Sequence, residues 1–492
     1  MARQGADAEM SQQRAPILVI DLGTTSLRCS IVDSTGAVRA LRRAALPERR
    51  DAQGLSWDGD ALAALLLHEA RTLAADWQPP GIAIANQRTT ALLWDAATGA
   101  VQGPVLSWSD GRTRDLDRAL RAQGVAFLPG LSASKWRWLL DQCDPDRTRS
   151  RAGQLRAGTL DTWLVWILSE GGAHVTDHTN ASHSGLFDIG ALDWDHDLAK
   201  ALDIAPALLA RPVPCTDTGA NATALPGSPP ILALIGDQQA SLVGQGCDAP
   251  GTAKITFGTS GVANVVLGAA PLAQHSRDAF GNIALSTNDG VMYGAEAAVM
   301  SAGSSVEWLI RLGVLPEAGA IDRLVDPAQL SGVTYVAALD GLGVPHWQPH
   351  ARGAFFGLSG ATGPGDLVRA TLDGIIAGTA DIIDRLERAG GVPLTAISLD
   401  GGLTNSHAFT AILAATLKRP LSRAAGAEAT TQGAARLAYR ALGHDLPLAA
   451  PALLVPPQDT QPADCALWRD AVDLVLEDQR RRKIRTTERN AR

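Results

Sequence analysis

The chain has 492 residues, enough for about two to four domains at roughly 100–200 residues each. It is 46% hydrophobic and 19% charged, which excludes collagen-like, coiled-coil and disordered classes and allows large buried cores. The net charge of −8 argues against a broad nucleic-acid-binding face. In chain order, residues 17–22 (ILVIDL) read as a buried strand. A Gly-Thr-Thr-Ser tip follows, then LRCSIVD, whose Leu27, Cys29 and Ile31 alternate with polar residues as in a second strand. Residues 58–76 predict a helix, 82–86 and 91–95 strands, and 110–123 and 159–169 helices. Pro and Gly thicken over 211–230, a loop with a domain seam nearby. The strand 231–236 leads into DQQASLVGQG. A further hairpin then runs AKITFG, a TSG tip, VANVVLG, and its echo of the first hairpin suggests a duplicated domain. Residues 364–389 predict a long helix, with Pro364 in its first turn and Gly390 past its end. Gly374 and Gly378 within it allow close packing. The strand 397–402 leads into a helix over 405–418. Strands alternating with helices predict an α/β fold.

Five cysteines, at 29, 143, 215, 247 and 465, show no metal or disulfide spacing and fit a reducing, cytoplasmic setting. The first 15 residues lack an apolar core, so they read as a disordered tail and not as a signal peptide. No apolar run is long enough to span a membrane. The basic RRRKIR, 480–485, reads as a frayed, solvated terminus.

Three Gly-rich turns each follow an apolar strand: Asp21-Leu-Gly-Thr-Thr-Ser26, Phe257-Gly-Thr-Ser-Gly261 and Asp400-Gly-Gly-Leu-Thr-Asn405. Glycine lets backbone approach a ligand, and exposed N–H and hydroxyl groups can hold phosphate oxygens. One such turn also suits an ordinary hairpin, whereas three in one chain point to phosphate. There is no GxxxxGK[ST] and no GxSxG. Asp21 and Asp237 end apolar strands, where a carboxylate needs compensation. A metal and a substrate hydroxyl would supply it, and so would capping of neighbouring N–H groups. Phosphoryl transfer needs a metal, phosphate donors and one carboxylate to orient and deprotonate the attacking hydroxyl.

Longer motifs then enter: IDLGTTSLRCSIVD, IANQRTTALLWDAATG, WSDGRT, GLSASKWRWLLDQ (130–142), DTWLVWIL with HVTDHTNAS, IGDQQASLVGQG, GLGVPHWQPHARGAFFGLSG with GDLVRATLD, and LDGG (399–402). Over about residues 16–445 they resemble the FGGY carbohydrate kinases, most closely the glycerol kinase branch. The resemblance implies two actin-like (ribonuclease H-like) domains closing over a central cleft. A substrate-side N-terminal domain would span 16–245, a nucleotide-side C-terminal domain 246–445, and an extension 446–492. It further implies ATP and Mg²⁺, a small polyol or sugar acceptor, and the homodimer that relatives often form. Asp237 resembles the general base. Asp21, with Asp237, would hold Mg²⁺ through waters. Thr24, Thr25, Ser26 and Arg28 would meet the nucleotide phosphates, with Gly258 and Thr259 as a second phosphate turn. Gly303, Glu307, Gly402 and Ser406 would flank the adenosine. Arg88, Thr89, Trp108 and Gln238 would line the acceptor site.

The departures concern the acceptor. Glycerol kinases follow the arginine with a glutamate, where this chain has Thr89. They have a tyrosine at Gly130 and a phenylalanine at Val262. A pocket that loses a carboxylate and two rings is wider, which implies a four- to six-carbon polyol or ketose such as a pentulose, with glycerol as the alternative. WSDGR also resembles the pentulose kinases. Gln348 and Ala297 depart elsewhere, and 221–230 lacks a fructose bisphosphate control segment. A catalytically silent nucleotide-binding sensor and a free-running ATPase are readings of another class. The first need not keep Asp237, and the second has no use for NQR, WSDGR or GDQQ. His183 and His346, near the motifs, read as packing residues.

Overall fold

The computed structural model describes residues 15–272, 276, 278–424 and 428–490. The expected N-terminal tail lies outside them except for Ala15. Contacts divide the chain into two units. The first holds the described residues up to Asp248, with Asn282–Met292 and Glu428–Leu448. The second holds those from Ala249 to Gly281, from Tyr293 to Ala427, and from Ala449 onward.

The first unit is built on a five-stranded sheet in the order Ile231–Gly236, Ile82–Asn86, Ile17–Leu22, Ser26–Val32, Val38–Ala45. The first three strands run parallel, Ser26–Val32 runs antiparallel to them, and Val38–Ala45 runs antiparallel to Ser26–Val32. Every residue of Ile17–Leu22 is buried, as an apolar run at a sheet centre must be, and Asp21 is the one polar residue in it. Val38–Ala45 alternates exposed and half-buried residues at the sheet edge. Helix Gly59–Trp77 starts at Asp58, whose carboxylate accepts the Asp60 and Ala61 N–H groups. It presents Leu62, Leu66 and Leu73 to the core.

The second unit repeats this plan within a seven-stranded sheet. Thr252–Phe257 pairs antiparallel with Gly261–Gly268, which pairs antiparallel with Gly290–Val299. On its other side Thr252–Phe257 pairs parallel with Ala396–Asp400, and that strand with Leu421–Arg423. The echo between the two hairpins is therefore a repeat of five strands, and both Gly-rich tips occupy the same place in it.

Helix Pro364–Gly390 has Pro364 in its first turn and ends at Gly391 in the left-handed region (φ +65°). A Cβ on Gly374 would lie 2.1 Å from the Tyr335 carbonyl oxygen, so backbone packs directly on that glycine. The C-terminal expectation needs correction. Residues 465–490 form one helix. Trp468, Ala471, Val472 and Val475 recur at helical spacing and are buried in the second core. The basic residues Arg480–Arg482 are exposed on its distal part. Helices Ser132–Cys143 and Ala429–Ala441 also form, with no counterpart among the predicted elements.

Candidate functional site

In the first unit three parallel strands end at one edge, and the turns beyond them carry the polar residues. Asp21 lies at the end of the central strand, directly opposite Arg28 across the hairpin. The Arg28 guanidinium is 3.3 Å from Asp21 and 3.4 Å from Glu428. Burial pushes the Asp21 carboxyl up to about 7. Arg28 opposes that rise, and the like charges of Asp237 and Glu428 add to it. Glu428 arrives because helix Ala429–Ala441 lies against helix Asp237–Gly244. A Cβ on Gly433 would stand 1.7 Å from the Ala240 carbonyl oxygen, and one on Gly244 1.9 Å from that of Ala429. Only glycines allow this approach. It also brings Thr430 Oγ1 to the Asp237 carbonyl at 3.5 Å.

The hairpin tip is tied to the next loop. Gln87 Nε2 donates to the Gly23 carbonyl, and Thr24 Oγ1 donates to Gln87 Oε1 at 3.2 Å. Trp108 Nε1 donates to Thr24 Oγ1 at 3.1 Å, while 53% of Trp108 remains exposed. Thr25 is exposed and Ser26 buried.

Asp237 opens helix Asp237–Gly244, and its carboxylate accepts the Gln238 N–H at 2.7 Å. A helix N-terminus favours a negative charge. The preceding Gly236 N–H donates to Thr179 Oγ1 at 2.9 Å, and that hydroxyl in turn donates to Asp177. Arg88 Nε lies 3.7 Å from Asp237 Oδ1. A Cβ on Gly236 would press on the Arg88 stem at 2.9 Å, so this glycine admits the arginine. Thr89 adopts φ +60°, uncommon for a β-branched residue. Buried Lys135 donates to the Thr89 and Trp108 carbonyls at 3.3 and 3.2 Å. Burial lowers the Lys135 ammonium to about 7.

In the second unit the matching hairpin tip has Gly258 N–H on the Ser260 carbonyl at 3.0 Å. Helix Gly303–Arg311 begins on this turn: Gly303 N–H donates to the Gly258 carbonyl at 2.9 Å and Ser304 N–H to that of Thr259 at 3.1 Å. A Cβ on Gly303 would stand 2.4 Å from the Gly258 oxygen. Glu307 is exposed on that helix. Gly401, at φ +94°, backs onto Phe257, and a Cβ on Gly402 would meet open space. Ser406 caps helix His407–Leu417 through the Phe409 N–H, and its hydroxyl donates to Asp322 at 2.7 Å. Asp322 also accepts the His407 and Ala408 N–H groups.

The structure thus gathers Asp21, Thr24, Arg28, Arg88, Trp108 and Asp237 in one unit, and Gly258, Thr259 and Gly303 in the other. Four residues beside the site have no site role in the sequence reading. Glu428 is 400 positions from Arg28, and nothing local marks it. Lys135 sits inside the 130–142 motif, where only its burial sets it apart. His183 is buried against Arg88. Thr179 lies in the HVTDHTNAS segment, near the Asp177 that caps its helix. Among the described residues no group of three or more His, Cys, Asp or Glu is placed to hold a metal. None of their helices is long and apolar enough to cross a membrane.

A duplicated five-stranded plan with a Gly-rich turn on each central hairpin is the actin-like, ribonuclease H-like fold. The models of the N- and C-terminal domains of the FGGY family of carbohydrate kinases match residues 16–244 and 253–442, and the chain belongs to that family. It is an ATP-dependent kinase of a polyol or sugar. It is 35% identical to the glycerol kinase of Trichlorobacter lovleyi over 450 residues, 87% of this chain and 90% of that one. The glycerol kinase of Plasmodium falciparum, solved with ADP, superposes with a TM-score of 0.84 at 25% identity over 94% of this chain and 98% of that one. The xylulose kinase of Rhodospirillum rubrum superposes with a TM-score of 0.78 at 25% identity, covering 94% and 98%.

Proposed function

We propose that this kinase phosphorylates a four- to six-carbon polyol or ketose, of which a pentulose is the favoured case. The observation that carries this reading is the pairing of Arg88 with Asp237 at 3.7 Å, with uncharged Thr89 beside it. The arginine offers donors to an acceptor's hydroxyls, and no carboxylate at 89 selects a short triol. Asp237 takes the proton from the attacking hydroxyl. That oxygen bonds the γ-phosphorus as the bond to the ADP oxygen breaks, and ADP leaves. Thr24, Thr25, Ser26 and Arg28, with Gly258 and Thr259, receive phosphate oxygens. Gly303, Glu307, Gly402 and Ser406 flank the adenosine. Trp108 and Gln238 complete the acceptor side.

Magnesium fits the residues present. Asp21 is a buried carboxylate beside two further acids, and a divalent cation relieves that crowding. Two carboxylates suit Mg²⁺, which keeps several waters and binds substrate phosphates. When bound, it neutralises charge on the phosphate oxygens. Asp21 and Asp237 would hold it. The reading extends to a cytoplasmic setting, in line with five free cysteines, and to a homodimer that sedimentation can test.

Glycerol itself is the second reading, favoured by relatives named glycerol kinase that are 35% to 37% identical. The test is ADP release from MgATP with glycerol, erythritol, the pentitols, xylulose, ribulose and several hexoses. A kcat/KM for a pentulose or pentitol above that for glycerol supports the proposal. Glycerol as the best acceptor replaces it with the second reading.

A further inference from the structure

His183 is 5% exposed and lies beneath Arg88, whose Nη1 meets its Nε2. The other ring nitrogen decides what that contact is. Nδ1 lies 3.0 Å from the Thr179 carbonyl oxygen and 3.2 Å from Ser182 Oγ. A carbonyl only accepts. The Ser182 hydroxyl already donates to the same carbonyl at 2.8 Å, so its oxygen faces the ring as an acceptor too. Nδ1 therefore carries the proton, and neutral Nε2 presents a lone pair. A guanidinium offers only N–H donors, so the Arg88 Nη1–H donates to Nε2. The guanidinium is thus held on one side by the imidazole and on another by the Asp237 carboxylate at 3.7 Å. Among the titratable groups on neighbouring elements, Asp177 and His178 lie on the same segment and Lys135 on helix Ser132–Cys143. The helix joins this site because Ala133 N–H donates to the Ser184 carbonyl.

We propose that His183 is a positioning residue for acceptor binding: as the Nδ1–H tautomer it holds the Arg88 guanidinium in the orientation that meets the substrate hydroxyls. A guanidinium on a flexible stem gives up side-chain entropy when it binds, and an arm already oriented gives up less. Removing the acceptor for Nη1–H loosens the arm and weakens acceptor binding, while nucleotide binding is left alone. The inference rests on the reading of Arg88 as acceptor-binding.

The test uses the full-length enzyme with MgATP, and with glycerol and D-xylulose in turn as acceptor probes. His183→Asn keeps a donor near Nδ1 but has nothing at the Nε2 position. His183→Gln restores an acceptor there. The expected result is an acceptor KM raised about tenfold in His183→Asn, the order expected from losing one hydrogen bond to a charged group. The KM for ATP stays within about twofold, and His183→Gln recovers to within about threefold of wild type. An acceptor KM raised in Arg88→Ala but unchanged in His183→Asn overturns the inference alone. An unchanged KM in Arg88→Ala overturns the reading of Arg88 and the inference with it. Nitrogen-15 spectra of the wild-type imidazole give a check that needs no variant: a protonated Nδ1 and bare Nε2 are expected, and the opposite tautomer overturns the proposal.

Discussion

Arg28 and Asp21 face each other across the first hairpin, register partners with their charged groups 3.3 Å apart. The pair is unequal. Burial holds the Asp21 carboxyl at about 7 in spite of the arginine, so at neutral pH this group stands near the border between neutral and charged.

That border gives a stability prediction. The folded value is raised above the ordinary 3.8, so the contribution of Asp21 is complete below about pH 4. It is lost as pH rises through about 7. Asp21→Asn cannot ionise and escapes that loss. Without ligands, the variant should gain on wild type in thermal melts between pH 4 and 8. At 1.36 kcal/mol per pKa unit the gain is on the order of 4 kcal/mol at most. Its turnover should fall together with its response to Mg²⁺. A stability difference that stays flat across this range would remove burial as the cause.

Asp237 has a different environment, at the first turn of a helix with 26% of its side chain exposed. General-base help contributes about 10²–10⁴-fold, so Asp237→Asn should lose that much kcat while binding ATP normally by calorimetry. A variant within tenfold of wild type would take Asp237 out of the role.

Gly303 lies so close to Gly258 that an added methyl would meet backbone at 2.4 Å. Backbone cannot swing aside as a side-chain end can, so Gly303→Ala must displace the Gly258–Thr259 turn. Initial rates should show a KM for ATP raised roughly tenfold and an acceptor KM within twofold, with about 1–3 kcal/mol of destabilisation. Equal increases in both KM values would mean that the turn does not serve the nucleotide.

The sequence was most legible where one element decides its own form. The buried strand Ile17–Leu22, its alternating partner and the Pro-to-Gly helix Pro364–Gly390 all carry local signals. So do Asp21 and Asp237, which stand out as acids closing apolar strands. The hidden parts depend on distant packing. Glu428 reaches Arg28 only because Gly433 and Gly244 let two helices touch, and the tautomer of His183 is set by a carbonyl and a hydroxyl on its own turn. The helix Cys465–Asn490 was legible in principle, through Trp468, Ala471, Val472 and Val475, but the basic run in its distal part drew the reading toward a frayed end.

Thr89 offers the sharpest test of the acceptor pocket, because one residue carries both strain and chemistry. It is a β-branched residue at φ +60°, a conformation that costs on the order of 1 kcal/mol or more, and Lys135 holds its carbonyl at 3.3 Å. Two substitutions separate the two properties. Thr89→Gly relaxes the backbone and adds no group, so it should raise the melting temperature and leave the order of acceptors unchanged. Thr89→Glu puts a carboxylate next to Arg88, where it can take up the hydroxyls of a small triol. A site that hydrogen-bonds a hydroxyl discriminates strongly through that bond, so the glycerol-to-xylulose ratio of kcat/KM should rise about tenfold or more. If both variants keep the wild-type ratio, position 89 does not face the acceptor, and the width of the pocket must be set by other residues.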